Sequence, residues 1–158
     1  PVFSASEKNE DQIRYTVSFR LRGNEMYRSL KKSKKIIIAE TDRGLLSSMA
    51  DALSREGYAV AISEDPARIL TTIESFKPEI LLLSLNFGDQ NGFERCIAIR
   101  QKYPPEKLVI LALLASDGSA GEGILEESGF SGVILKPRNQ AAMKGFVSEL
   151  RERIRLHE

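Results

Sequence analysis

Five short and almost continuously apolar runs, separated by helix-like segments, restrict the fold of this chain more than any other feature. Such runs are typical of strands that helices cover on both faces of a parallel sheet. The segments between them place apolar residues three and four positions apart, the spacing of a helix with one buried face. The runs are KIIIA at 35–39, YAVAI at 58–62, EILLLS at 79–84, LVILALL at 108–114 and GVIL at 132–135.

Residues that favour the first or last turn of a helix stand where the helical segments should begin or end. They are Asp42, Asp65-Pro66 and Asn91-Gly92 at the starts, and Gly57 and Gly129 at the ends. Five strand–helix units in about 125 residues predict an α/β fold, a doubly wound (βα)5 domain with a five-stranded parallel sheet.

Residues 13–21 follow a different pattern, in which apolar and polar side chains alternate. This pattern is typical of a strand with one buried face, and residues 1–6 could pair with it as a β-hairpin. Because an isolated hairpin is marginally stable in water, we expect it to pack on the rest of the chain, a second copy or an upstream domain.

A basic segment joins this hairpin to the main domain. Residues 20–35 hold seven basic residues and one acid, and Asn24 can cap a short helix there. We interpret the segment as a solvated linker rather than a nucleic-acid or membrane site, because no aromatic stacking platform accompanies its charges beyond Tyr27. The chain is therefore predicted to comprise a hairpin-and-linker extension at 1–33, with net charge +3, and a main domain at 34–158, with net charge −2.

The scarcity of histidine and cysteine excludes whole classes of site. The chain has one of each, Cys96 and His157. Metal sites built from several His and Cys residues, and catalytic triads that need His, are thereby ruled out. Cys96 lies at helical spacing from apolar neighbours and is predicted to be a core residue. The lone cysteine, the lack of a long apolar run and the lack of a signal peptide together predict a cytoplasmic protein without a membrane partner.

Polar residues stand at the predicted carboxyl ends of the strands, where ligand sites lie in doubly wound sheets. Glu40 and Thr41 follow the first strand, Ser84 ends the third with Asn86 two residues beyond, and Lys136 follows the fifth. One crevice is expected to collect a carboxylate, a hydroxyl, an amide and a lysine.

The main domain resembles the receiver domain of two-component response regulators, the CheY-like superfamily, over residues 34–158. The resemblance rests on KKIIIAETD, PEILLLSLNFGDQNGFE, LVILALLA and GFSGVILKP, in this order and spacing. It implies a flavodoxin-like fold and a role in bacterial phosphorelay signalling. In that family, two adjacent acids hold Mg²⁺, and an Asp ending the third strand accepts a phosphoryl group from a histidine kinase. A Thr or Ser, an aromatic residue and a Lys then respond to it.

This sequence departs from the family pattern at the positions that carry the chemistry. The phospho-acceptor position is Ser84, the acidic pair is Glu40 and Thr41, and the switch positions are Leu114 and Val133, while Lys136 and Asn86 are kept. Ser84 has no base to activate its hydroxyl, and we interpret it as a small polar residue in place of the lost Asp. Glu40 would bind Mg²⁺ weakly at most, so no cofactor is expected. We expect Lys136 to pair with Glu40 as an internal salt bridge.

These losses predict a pseudo-receiver, not an enzyme, that signals by phosphorylation-independent contact with a protein partner. The expected partner is a histidine kinase, an output domain or a second copy of the chain. The resemblance implies that helix 4, strand 5 (residues 132–135) and helix 5 of the predicted (βα)5 domain form the usual contact surface, where a homodimer could form. The N-terminal hairpin is an alternative dimer contact. Arg151, Arg153 and Arg155 suggest a charged contact on the last helix.

Two alternatives stay open at this stage. A working receiver could be phosphorylated at an atypical residue, and Asp89 is the carboxylate in the loop after the third strand that could substitute. A small-ligand or nucleotide site could use the glycines at 118–123, although they do not match a dinucleotide fingerprint in order or place.

Overall fold

The computed structural model of the chain describes residues 3–8, 13–19, 34–87, 91–115 and 122–157, and the first two segments by their backbone alone. The strands are β1 (Phe3–Lys8), β2 (Ile13–Phe19), β3 (Lys35–Ala39), β4 (Ala59–Ser63), β5 (Ile80–Ser84), β6 (Val109–Leu114) and β7 (Gly132–Leu135). The helices are α1 (Arg43–Arg55), α2 (Ile69–Phe76), α3 (Gly92–Arg100), α4 (Glu122–Ser128) and α5 (Met143–Leu156).

The strands form one sheet in the order β1-β2-β4-β3-β5-β6-β7. The five neighbouring strands β4, β3, β5, β6 and β7 are parallel, which confirms the predicted doubly wound (βα)5 fold. The chain runs from β3 to β4 on one side and then crosses to β5 on the other side of β3. The carboxyl ends of β3 and β5 therefore flank the crevice where such sheets bind ligands.

Side chains on successive residues of each parallel strand enter opposite cores. In β3, Ile36 and Ile38 pack with α1 and α5, whereas Ile37 and Ala39 pack with α2, α3 and α4. This burial on both faces explains why the strands are continuous apolar runs. Cys96 is fully buried in the second core, as predicted.

The predicted cap residues occupy the ends of the helices. Oδ1 of Asp42 accepts from the Leu45 amide at 3.1 Å, and Oδ1 of Asn91 accepts from the Glu94 amide at 2.9 Å. Asp65 caps a short 3-10 turn at Pro66–Arg68, so α2 itself begins later than predicted. The second parallel strand also runs one residue later than predicted and ends at Ser63.

The N-terminal strands extend this sheet. β1 pairs antiparallel with β2, and β2 pairs antiparallel with β4 over the register from Ile13↔Ser63 to Thr16↔Val60. The sequence left three packing partners open for the hairpin: the rest of the chain, a second copy or an upstream domain. In the structure it pairs with the rest of the chain. The predicted linker helix, at 20–33, lies outside the described residues, and the division into 1–33 and 34–158 stays a prediction.

Candidate functional site at the carboxyl edge of the sheet

Neighbouring strands bring the predicted site residues to one edge of the sheet. Glu40 follows β3, and its amide donates to the carbonyl of Ser63 at 3.2 Å. Lys136 follows β7, and its amide donates to the carbonyl of Leu114 at 2.7 Å. Ser84 is the last residue of β5, between these two pairs of strands in the sheet.

A buried ion pair occupies the crevice, as the sequence predicted. Nζ of Lys136 lies 2.5 Å from Oε1 of Glu40. Glu40 is 2% exposed, and its Oε2 accepts a hydrogen bond from the Thr41 amide at 2.9 Å. Both carboxylate oxygens therefore face groups of this chain, and the lysine compensates a charge that lies out of water.

Ser84 is fully buried beneath this crevice, and its Oγ accepts from the Asn86 amide at 3.2 Å. The start of α3 packs directly on this strand end: the Gly92 amide donates to the Leu85 carbonyl at 2.8 Å. A Cβ on Gly92 would lie 2.7 Å from Cα of Leu85 and 2.8 Å from the Ser84 carbonyl oxygen. The serine is thus a small polar residue inside a closely packed turn.

The oxygens of Glu40, the residue at which weak Mg²⁺ binding could be expected, already face groups of this chain. The ion prefers near-octahedral oxygen ligands with one or two carboxylates. In the described part of this edge, the carboxylate that lies against Lys136 is that of Glu40, and the Lys136 ammonium and the Thr41 amide already face its oxygens. Within the described ranges, no three His, Cys, Asp or Glu side chains are grouped as metal ligands.

The two predicted switch positions line one groove beside the crevice. Leu114 is buried and Val133 is half-buried, and both border a groove of about 680 Å³ between β7 and α5. Two apolar side chains of β7 and α4 are exposed: Leu135, which lines the groove, is 50% exposed, and Ile124 on α4 is 55% exposed. The sequence predicted both positions as switch positions but gave no sign that they border a common groove.

The arginines of α5, which the sequence suggests as a charged contact, are paired with carboxylates in the structure. Arg151 binds Glu56 at 2.6 Å, and Arg153 binds Glu149 at 3.0 Å. Arg155 pairs with Glu152, and this exposed contact raises the pKa of its guanidinium. Carboxylates one helical turn away, or just after the end of α1, therefore offset much of the positive charge along this helix.

Cys96 is not available as a reactive group, and two other predicted candidates lie outside the described residues. Burial raises the pKa of the Cys96 thiol to about 11, with the charge of Arg100 acting in the opposite direction, so the thiol stays protonated and unreactive at neutral pH. Asp89 and most of the glycines at 118–123 lie outside the described residues. No helix in the described part of the chain has the length and apolar character needed to cross a bilayer.

Known proteins share this fold and sequence pattern. The chain is 26% identical over 125 residues to the DNA-binding response regulator MtrA of Mycolicibacterium smegmatis, covering 79% of this chain and 52% of that protein. The chain thus spans about half the length of the MtrA relatives that it matches. It is also 28% identical over 88 residues to adventurous-gliding motility protein Z of Myxococcus xanthus, covering 56% of this chain and 6% of that protein.

Solved structures give the same result. A CheY-like response regulator receiver domain protein from Methanospirillum hungatei superposes with a TM-score of 0.67 at 21% identity, covering 80% of this chain and 97% of that one. The BeF3-activated receiver domain of Klebsiella pneumoniae RstA superposes with a TM-score of 0.64 at 25% identity, covering 78% and 97%. Residues 36–148 match the family description of the response regulator receiver domain, and the chain belongs to that family.

Proposed function

We propose that this receiver domain is a pseudo-receiver, which signals through protein contacts without accepting a phosphoryl group. The observation that carries the proposal is the ion pair between Lys136 and Glu40. It places a lysine on the carboxylate that a metal would need, in a crevice whose acceptor position is a buried serine.

Aspartyl phosphorylation needs a carboxylate nucleophile and a dication that neutralises the incoming phosphoryl oxygens. Ser84 offers a hydroxyl with no exposure to solvent. The one histidine of the chain, His157, stands at the end of α5 and is no base for it. No cofactor and no catalysed reaction belong to this proposal.

The ion pair also opposes a change of chemistry at this site. Any group that draws Lys136 away leaves the Glu40 carboxylate buried and uncompensated. Separating a buried pair in this way costs about 3–5 kcal/mol. A phosphoryl group or a metal would have to supply that free energy in addition to its own binding requirements, so the pair favours a single state of the crevice.

Receiver domains contact histidine kinases and output domains. For this chain we propose a protein partner on the surface formed by α4, β7 and α5, a second copy of the chain being one candidate. Exposed Leu135 and Ile124 and the groove beside Val133 support this choice. MtrA is a DNA-binding response regulator, and a similar output region beyond the matched part is one partner consistent with this proposal.

The test is addition of a small phosphodonor, or of beryllium fluoride with Mg²⁺, followed by intact mass and amide NMR spectra. We expect neither the mass nor the spectra of the natural chain to change. The double variant Thr41→Asp/Ser84→Asp restores the second acid and the acceptor, and serves as the control that should gain a response. A saturable spectral shift of the natural chain at millimolar Mg²⁺ would contradict the proposal, and an acyl phosphate on Asp89 would establish the atypical-acceptor alternative instead.

A further inference from the structure

A single arginine ties together three segments at the opposite edge of the sheet, away from the crevice. Arg100 ends α3, and its Nε donates to the Gly129 carbonyl at 2.7 Å. One terminal nitrogen donates to the carbonyls of Leu108 at 2.6 Å and Tyr103 at 3.1 Å. The other donates to Oγ of Ser131 at 3.0 Å. The guanidinium thus joins the end of α3, the loop before β6 and the turn between α4 and β7.

The turn after α4 is shaped around this side chain. Gly129 has φ of +99°, a left-handed conformation that favours glycine. A Cβ at this position would lie 2.7 Å from Cγ of Arg100. The glycine therefore both permits the turn and makes room for the arginine that holds it.

Further contacts fix the same end of α4 to the sheet. The Ser131 amide donates to the Ile110 carbonyl at 2.7 Å, and the Ile110 amide donates back to Oγ of Ser131 at 3.2 Å. Phe130 is buried and packs edge-to-face on Phe93 at 6.2 Å. By contrast, Ile124 near the start of α4 is 55% exposed. The carboxyl end of this helix is anchored and its opposite end meets solvent.

We propose that Arg100 is the positioning residue of α4, holding the helix in one orientation beside β7. The consequence for partner binding rests on the proposed function, because α4 contributes to the surface on which the partner docks. The acceptors around Arg100 lie along two edges of one planar group. Among side chains, only the guanidinium of arginine carries hydrogen-bond donors along both edges. A lysine would keep the charge and lose most of the geometry.

Hydrogen exchange of backbone amides in the full chain tests this assignment. In Arg100→Ala we expect the amides of residues 125–131 to exchange at least about tenfold faster, since several hydrogen bonds to a charged group are lost there. The amides of β5 are the internal reference and should change little. Arg95→Ala is the matched control, because Arg95 lies on the same helix and its Nε is buried without a hydrogen-bond partner.

Rescue separates positioning from a general loss of stability. Millimolar methylguanidinium should slow the exchange of residues 125–131 in Arg100→Ala, whereas methylammonium should not, and Arg100→Lys should resemble Arg100→Ala. Should Arg100→Ala fail to fold, Ser131→Ala removes one acceptor of Arg100, which also accepts from the Ile110 amide, and should accelerate the same amides to a smaller degree. Equal acceleration of β5 and of residues 125–131, or rescue by both cations, would overturn the assignment. None of these readouts involves phosphorylation or a partner, so their failure would leave the proposed function untouched.

Discussion

The two partners of the crevice ion pair differ in their access to water. The Glu40 side chain is 3% exposed, while that of Lys136 is 17% exposed. A carboxylate left alone at such depth is out of water without a compensating charge, which is costly. A lysine left alone can turn its ammonium towards solvent along its flexible stem. The pair is therefore asymmetric, although each residue contributes one charge.

We expect Lys136→Met to lower the free energy of unfolding by about 3–5 kcal/mol, because it leaves the Glu40 charge buried and unpaired. Glu40→Gln should cost less, and the double variant should cost less than the sum of the two single ones. Urea unfolding of the four proteins measures this cycle. The exposed pair of Arg153 and Glu149 is the control, since Arg153→Gln should change stability by no more than about 1 kcal/mol. Equal and additive costs for the two crevice variants would contradict the asymmetry.

Sequence reasoning succeeded at those single residues whose role depends on near neighbours or on the strand ends. Asp42 and Asn91 could be predicted as caps because each bonds an amide three residues ahead. The pairing of Lys136 with Glu40 could be predicted because parallel strands bring their carboxyl ends together. Arg100 gave no such signal, since its acceptors include residues 29 and 31 positions away, which only the folded chain brings together.

At the scale of elements, α3 begins against the end of β5 with no space for a side chain at its first residue. In Gly92→Ala the new Cβ would meet backbone atoms of Leu85 and Ser84 at 2.7 and 2.8 Å, and backbone cannot yield as a flexible side chain does. We expect a loss of about 1–3 kcal/mol of stability, the usual cost of overpacking. Thermal unfolding measures the loss.

Gly145 is the matched control for that substitution, because a Cβ there would meet no atom within 4 Å. The residue lies inside α5, where alanine forms helix better than glycine by about 1 kcal/mol. Gly145→Ala should therefore raise the unfolding temperature while Gly92→Ala lowers it. The same direction of change in both variants would mean that space at the end of β5 is not the deciding factor.

At the scale of the whole molecule, the sequence patterns predicted where the strands lie better than they predicted which strands pair. Alternation at residues 13–21 predicted a strand with one buried face, but it could not decide which strand would pair with it. In the structure β2 lies on β4, so the sheet of the described residues has seven strands, and within it β7 pairs on one side only, with β6. The paired residues, from Ile13↔Ser63 to Thr16↔Val60, are 44 to 50 positions apart, so this pairing leaves no local trace in the sequence.

The outer strand β7 also bears on the association of the domain with a second copy. Leu135 on β7 is half-exposed and borders the groove, so a second copy on this surface would bury it. If the domain forms a homodimer here, Leu135→Glu should place an uncompensated charge in the interface and shift the equilibrium to monomer. Sedimentation equilibrium over a range of concentrations measures the shift. Leu70→Glu is the matched control, because Leu70 is also exposed but lies on α2, which covers the opposite face of the sheet from α5.

Self-association that Leu135→Glu abolishes and Leu70→Glu leaves intact would support the homodimer on the α4, β7 and α5 surface. Equal loss in both variants would mean that exposed leucines associate without a defined interface. A natural chain that stays monomeric at every concentration would contradict the homodimer. The exposed Leu135 and Ile124 would then favour a different protein partner, a histidine kinase or an output domain, and Leu135→Glu would be the variant with which to test its binding.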